Sequence, residues 1–411
     1  MAPTKELPLV PNRRPFAAAA IAALTLTGVG ATAGTAAAAP PAGSQLATYI
    51  VTLESGSVPA NVAARAEHQF GGRTEHVYTA ALKGFAVRLP EAQASRLSTL
   101  PGVVGVEADQ TMMVAGTEYP TPSWGLDRID QHPLAANSTY NYNSDGTGVT
   151  AYIIDTGMVF ANTDFGARAS SGVDEVEPNT PADDCNGHGT HVAGTVGGSQ
   201  YGVAKNVQLV AVRVLDCNGS GSTAGVIAGV DWVTTQHKLP GSAPAVANMS
   251  LGGGVSSALD TAVTNSINSG VTYSIAAGNG NSFGIPQDAC KASPARVSAA
   301  LTVAASDSND TATSWSNYGS CVDLFAPGLS ITSDWYDKTN PANTMATNTI
   351  SGTSMATPHV TGVAALYLQT HQSATPTGVS NAIKGAATPH IVKTSSRYKT
   401  ANNNLLYSLI K

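Results

Sequence analysis

Five apolar runs without alternation constrain this chain more than any other feature. They cover residues 149–154, 207–214, 245–249, 271–276 and 301–304. A half-buried strand alternates apolar and polar residues, whereas an unbroken run is buried on both faces, as in a parallel sheet. Helical patterns lie between the runs, at 222–235, 256–269 and 354–369. Strand alternating with helix gives an open α/β sheet, whose sites lie at the carboxyl ends of the strands. Asp155, Ser250 and Asn279 each fall just after one of these runs.

Three segments bring chemistry to such positions: Ile154-Asp155-Thr156-Gly157, Asn186-Gly187-His188-Gly189-Thr190-His191, and Gly352-Thr353-Ser354-Met355-Ala356-Thr357-Pro358-His359. Ser354 is the expected nucleophile, at the start of a helix whose positive end faces the reaction centre. Gly352 is expected to let the backbone turn sharply before it. His188 is the expected general base, and Asp155 the group that orients it. Asn279, within Ala276-Ala277-Gly278-Asn279-Gly280-Asn281, is the expected side-chain donor to an oxyanion. His188 and His191 also form an H-x-x-H pair, but the Glu of a zinc-peptidase helix is absent. His191 and His359 read as structural.

The order Asp, His, Ser matters, because triads recur on unrelated folds in different orders. It is the subtilisin order, and all three segments closely resemble the signatures of subtilisin-like serine proteases. A lipase or esterase would need a G-x-S-x-G elbow and its His after the Ser. An inactive binding relative would have lost a catalytic position, and every one is filled.

With 12% charged residues, 41 Gly and a net charge of -6, the chain is globular and offers no attraction to nucleic acid or anionic lipid. Residues 1–39 read as a signal peptide: Arg13-Arg14, an apolar stretch from Phe16, then A-x-A sites. That stretch is too short for a membrane span, so a secreted, unanchored chain is expected. The paired Arg also resembles a twin-arginine signal. Residues 46–113 show a β-α-β-β-α-β pattern, with strands expected at 48–53, 77–89 (two) and 103–107 and helices at 58–70 and 91–100; this is the ferredoxin-like order. A connector at 114–120 and a catalytic domain at 121–411 follow. Four cysteines in an exported chain suggest two disulfides. Three pairings are possible, and the most local joins Cys185 to Cys217 and Cys290 to Cys321.

The resemblance runs from about Trp124 to the C-terminus, and is to the proteinase K branch, particularly aqualysin-like enzymes. It implies a three-layer subtilisin-like fold and the local disulfide pairing. Gly219-Ser220-Gly221 would pair with an extended substrate, and Ser250-Leu251-Gly252-Gly253-Gly254 would form the opposite wall. These segments carry no charge, so apolar or aromatic residues before the scissile bond are expected. Structural calcium is implied at Asp127, Asp130, Gln131 and Asn137, and at Asp323 with the carbonyls of Ser298 and Ala300. Residues 46–113 resemble an inhibitor-type propeptide, which assists folding and blocks the cleft until self-cleavage between about Met113 and Thr117. Nothing calls for an oligomer, and a monomer is expected. The chain departs from its relatives around 132–142 and 334–349.

Overall fold

The computed structural model describes residues 46–79, 82–109, 116–118, 120–134 and 136–410. The expected signal segment lies outside them, as do 113–115 of the expected cleavage region. The chain divides into two compact units, Met1–Met112 and Met113–Lys411.

The first unit contains β1 (Leu46–Leu53), α1 (Pro59–Phe70), β2 (Arg73–Tyr78), β3 (Gly84–Pro90), α2 (Ala94–Leu97) and β4 (Val103–Ala108). Its antiparallel sheet runs β2-β3-β1-β4, the ferredoxin-like order. Pro59 starts α1, where its missing N–H costs nothing, and left-handed Gly71 (φ 71°) ends it. Two local expectations need correction. β2 begins at Arg73 rather than Val77, because its side chains are largely exposed and give no apolar signal. The helix expected over 91–100 is a 3-10 turn (Glu91–Gln93) and then the single turn α2, with only Leu97 and Leu100 buried along it. These two join Val51, Val62, Phe85 and Leu89 in the unit's own core.

The second unit opens with β5 (Gly116–Glu118), α3 (Trp124–Ile129) and β6 (Tyr140–Tyr142). Then come β7 (Thr150–Asp155), β8 (Ala169–Asp174), α4 (His188–Gly197), β9 (Gln208–Arg213), α5 (Thr223–His237), β10 (Ala245–Met249), α6 (Ser257–Asn268), β11 (Thr272–Ala276), β12 (Leu301–Ser306) and β13 (Leu324–Pro327). The hairpin β14 (Ile331–Asp334) and β15 (Thr347–Ile350) precedes α7 (Thr353–Thr370) and α8 (Pro376–Ala386). Seven strands form one parallel sheet in the order β13-β12-β11-β10-β7-β9-β8. All five apolar runs lie in it.

One core packs α4, α7 and α8 onto the sheet through Val192, Val196, Val360, Val363 and Val379. The other packs α5 and α6 on the opposite face through Val226, Val230, Val263 and Ile267. The chain runs outward from β7 to β8 and β9, then returns to β10 on the other side of β7. This reversal opens a crevice at the carboxyl ends of β7 and β10. Both local disulfides are formed, each closing a loop whose chain entropy is worth about 3–4 kcal/mol. Among the described residues no helix is long and apolar enough to cross a membrane.

Candidate active site

The crevice gathers the three segments. Asp155 is the last residue of β7 and fully buried. Its Oδ1 accepts from the Thr156 N–H at 2.8 Å and from His188 Nδ1 at 2.7 Å. His188 is the first residue of α4, and its side chain is 24% exposed. Glycines make that position possible. A Cβ on Gly189 would lie 2.2 Å from the Gly157 carbonyl, and one on Gly187, at φ 110°, would strike the Trp335 ring at 2.5 Å. Burial pushes the His188 imidazole down, but the Asp155 charge and hydrogen bond outweigh it, Asp184 adds to them, and the net shift is upward.

Asp184 is a functional residue that sequence reasoning missed. Its Oδ1 accepts from the Asn186 and Gly187 N–H groups and the Thr156 hydroxyl, and its Oδ2 from the Thr190 N–H and hydroxyl. The Thr156 hydroxyl also accepts from the Gly189 N–H. One carboxylate thus locks the end of β7 to the start of α4. An Asp just ahead of a helix is a capping signal, and that was its only trace in the sequence.

Ser354 is the second residue of α7, so its N–H has no intrahelical acceptor. Its hydroxyl donates to the Ser250 carbonyl at 3.1 Å, and the Ser250 hydroxyl donates to the Ser354 carbonyl at 2.8 Å. No hydrogen bond joins Ser354 to His188 in this structure, so attack requires the serine side chain to rotate from Ser250 toward the imidazole. Asn248 Nδ2 donates to the Ser250 hydroxyl, and the Thr361 hydroxyl to Asn248 Oδ1, each at 2.9 Å. These fully buried residues pin α7 across β10. Asn248 was legible only as the single polar residue in an apolar run.

The expectation for Gly352 fails. Its backbone is extended (φ 169°), and a Cβ there would meet nothing closer than Asn279 Nδ2 at 3.4 Å. What the position provides is an open approach to that amide. Asn279 Oδ1 accepts from the Thr353 N–H at 2.8 Å and the Thr353 hydroxyl at 2.9 Å, which fixes the rotamer and turns Nδ2 toward Gly352. His191 and His359 are buried and held neutral, at pKa values of about 3 and about 4, mainly by desolvation. His191 Nε2 donates to the Ile331 carbonyl and His359 Nδ1 to the Met355 carbonyl, so both are structural.

A cleft of about 550 Å³ runs beside His188. Gly219, Ser220 and Gly221 form part of its wall, as do Ser250, Leu251, Gly252, Gly253 and Gly254. A Cβ on Gly221 would lie 2.2 Å from the Val214 carbonyl, so this wall requires glycine. Apart from His188, no ionisable side chain among the described residues lines the cleft.

Of the expected calcium ligands, Asp127, Gln131 and Asn137 converge. Asp127 Oδ1 accepts from Gln131 Nε2 and the Asn137 N–H, and Asn137 Nδ2 donates to Gln131 Oε1. Asp130 turns one oxygen to Asn141, while its buried Oδ1 has no hydrogen-bond partner. Burial raises the Asp130 pKa; the Asn141 hydrogen bonds oppose this, and the Asp127 charge reinforces it. An orphaned carboxylate oxygen on an acid that feels the charge of a second acid fits a hard cation. Asp323 does not fit one. Its oxygens accept from the Thr302 N–H at 2.9 Å and Lys384 Nζ at 3.2 Å, so a lysine already supplies the countercharge, and among the described residues no contact brings in the carbonyls of Ser298 and Ala300.

With this geometry in view, similarity to known proteins is informative. Residues 130–406 match the subtilase family, and residues 48–115 match the peptidase inhibitor I9 family. An "Extracellular serine proteinase" of Thermus sp. (strain Rt41A) is 55% identical over 338 residues, 82% of this chain and 78% of that protein. "Alkaline serine exoprotease A" of Vibrio alginolyticus is 51% identical over 342 residues, 82% of this chain and 60% of that protein. A solved structure described as a cold adapted subtilisin-like serine proteinase is 55% identical, with a TM-score of 0.64, and covers 70% of this chain and 98% of that chain. The chain therefore belongs to the subtilase family of serine peptidases, with an I9 inhibitor segment preceding its peptidase unit.

Proposed function

We propose that this protein is a secreted serine endopeptidase, made as a self-cleaving proenzyme, that cuts broadly after apolar or aromatic residues. The buried 2.7 Å bond from His188 Nδ1 to Asp155 carries the reading, because it leaves Nε2 as the open proton acceptor at the cleft. Ser354 attacks the scissile carbonyl as His188 Nε2 takes its proton. Asp155 holds the ring by Nδ1–H and stabilises the imidazolium. The Ser354 N–H and Asn279 Nδ2 receive the developing oxyanion at the positive end of α7. His188 then protonates the leaving amine, and a water activated by the same imidazole releases the acyl group. The uncharged cleft supports apolar specificity, and the extracellular Thermus relative supports secretion. A calcium ion held by Asp127, Asp130, Gln131 and Asn137 would be structural, joining α3 to the 137–141 segment.

The I9 match supports an inhibitory and folding role for the first unit. The test is intact mass over time for the chain without its signal, as wild type and as Ser354→Ala. Only the wild type should lose the segment before about Thr117. Two folded, calcium-loaded forms that both stay full length would contradict self-cleavage by Ser354.

A further inference from the structure

The helix that carries the nucleophile lacks one of its own hydrogen bonds. In an α-helix each backbone N–H donates to the carbonyl four residues earlier, and inside α7 the residue four places after Ser354 is Pro358. Proline has no N–H, so the Ser354 carbonyl loses its helical donor. Thr353, Met355 and Pro358 around it are buried, where a carbonyl without a donor is costly. The Ser250 hydroxyl fills the gap at 2.8 Å.

That hydroxyl has a fixed direction. The Thr361 hydroxyl donates to Asn248 Oδ1 at 2.9 Å, the nearer of its two acceptors, so the amide nitrogen faces Ser250. Asn248 Nδ2 then donates to the Ser250 hydroxyl oxygen at 2.9 Å, which directs its own hydrogen at the Ser354 carbonyl. Asn248 and Thr361 are fully buried and Ser250 is 3% exposed, so bulk water does not compete along this chain. On the other side of the nucleophile, Asn279 Oδ1 holds the Thr353 N–H and hydroxyl. The backbone before and after Ser354 is thus clamped by side chains from outside the helix.

We infer that Ser250, oriented by Asn248, is a positioning residue for the nucleophile. Its hydroxyl replaces the helical N–H that Pro358 removes, and so fixes the backbone that aims the Ser354 N–H at the oxyanion and the Ser354 side chain at His188. This rests on the peptidase reading above and adds a residue to its machinery. The hydroxyl is engaged with α7, so its loss should act on turnover and spare substrate binding.

The experiment compares the matured parent enzyme with Ser250→Ala, Pro358→Ala and the double variant. Active sites are counted by titration with a serine-directed phosphonate, so kcat does not depend on how much of a variant folds. Ser250→Ala should lower kcat and the rate of phosphonate uptake by about 3- to 10-fold, the worth of one buried hydrogen bond, with KM changed by less than about twofold. Adding Pro358→Ala returns an N–H to the orphaned carbonyl and should recover most of that loss, whereas Pro358→Ala in the parent should bring no gain. An unchanged kcat in Ser250→Ala, a loss confined to KM, or losses that merely add in the double variant would overturn the inference. Failure of the parent itself to cut peptides or take up the phosphonate would instead overturn the peptidase reading.

Discussion

Replacing Asp334 with Asn should remove a pH-dependent penalty on stability. Asp334 ends β14 with 2% exposure, immediately before Trp335, whose ring packs on Gly187 beside His188. Its Oδ1 accepts from Asn162 Nδ2 at 3.1 Å, and its buried Oδ2 meets no N–H or hydroxyl donor. The nearby Asp164 carboxyl reinforces the effect of burial on Asp334, so the expectation is that the two acids share one proton. Burial first, then the Asp164 charge, push Asp334 up to about 8. Arg168, Tyr201 and Lys205 also surround the pair, and all three feel the Asp164 charge. An unfolded Asp titrates near 3.9, so between about pH 4 and pH 8 the folded chain binds the extra proton. The raised folded value means that stability is greatest at the acid end of this window and falls as pH rises through it. The slope is at most about 1.4 kcal/mol per pH unit, or about 4 kcal/mol from pH 5 to pH 8. An Asn keeps the shape and donates a permanent N–H to Asp164, which removes this dependence. The assay is calorimetry of Asp334→Asn and its parent, both in a Ser354→Ala background, at pH 5, 6.5 and 8 with fixed calcium and scan rate. The parent should lose about 6–8 °C relative to the variant across that range, at about 2 °C per kcal/mol for a unit of this size. Parallel curves would refute the shared proton.

Three other outcomes follow from the site. Asn279→Ala should lower kcat by about 10²–10³ with little change in KM, a magnitude taken from subtilisin's own oxyanion donor rather than worked out from this structure; an equal rise in KM would mean that the amide binds the ground state. His188 must be neutral to act as base and its pKa is raised, so the acid limb of kcat/KM should lie above 6.5; a midpoint below that value would contradict the Asp155 interaction. Chelation should lower the melting temperature of the parent but not of Asp127→Asn, and equal melting with calcium and with chelator would remove the proposed ion.

The parallel sheet was legible because strands covered on both faces are written as unbroken apolar runs. β8 and β13 escaped for physical reasons. β8 is an edge strand reading Ala-Ser-Ser-Gly-Val-Asp, with exposed serines, and β13 is four residues ending in Pro327. The four catalytic candidates were legible because reactive groups sit at strand ends and helix starts, where Gly and Asn mark the turns. Their supports were not. Asp184, Asn248 and Thr361 act only through partners brought together by the tertiary fold, and locally they are a cap, a polar interruption and a helix residue. The Lys384 contact at Asp323 joins residues 61 apart in sequence, which no local pattern announces.

The central claim is that Ser354 is activated by the His188–Asp155 pair. Titration of the matured enzyme with a serine-directed phosphonate, followed by peptide mapping, addresses it most directly. One equivalent of label is expected, located on Ser354, with uptake that accelerates as pH rises through the His188 titration and is abolished in His188→Ala. No label, or label on another serine at the same rate in His188→Ala, would contradict it.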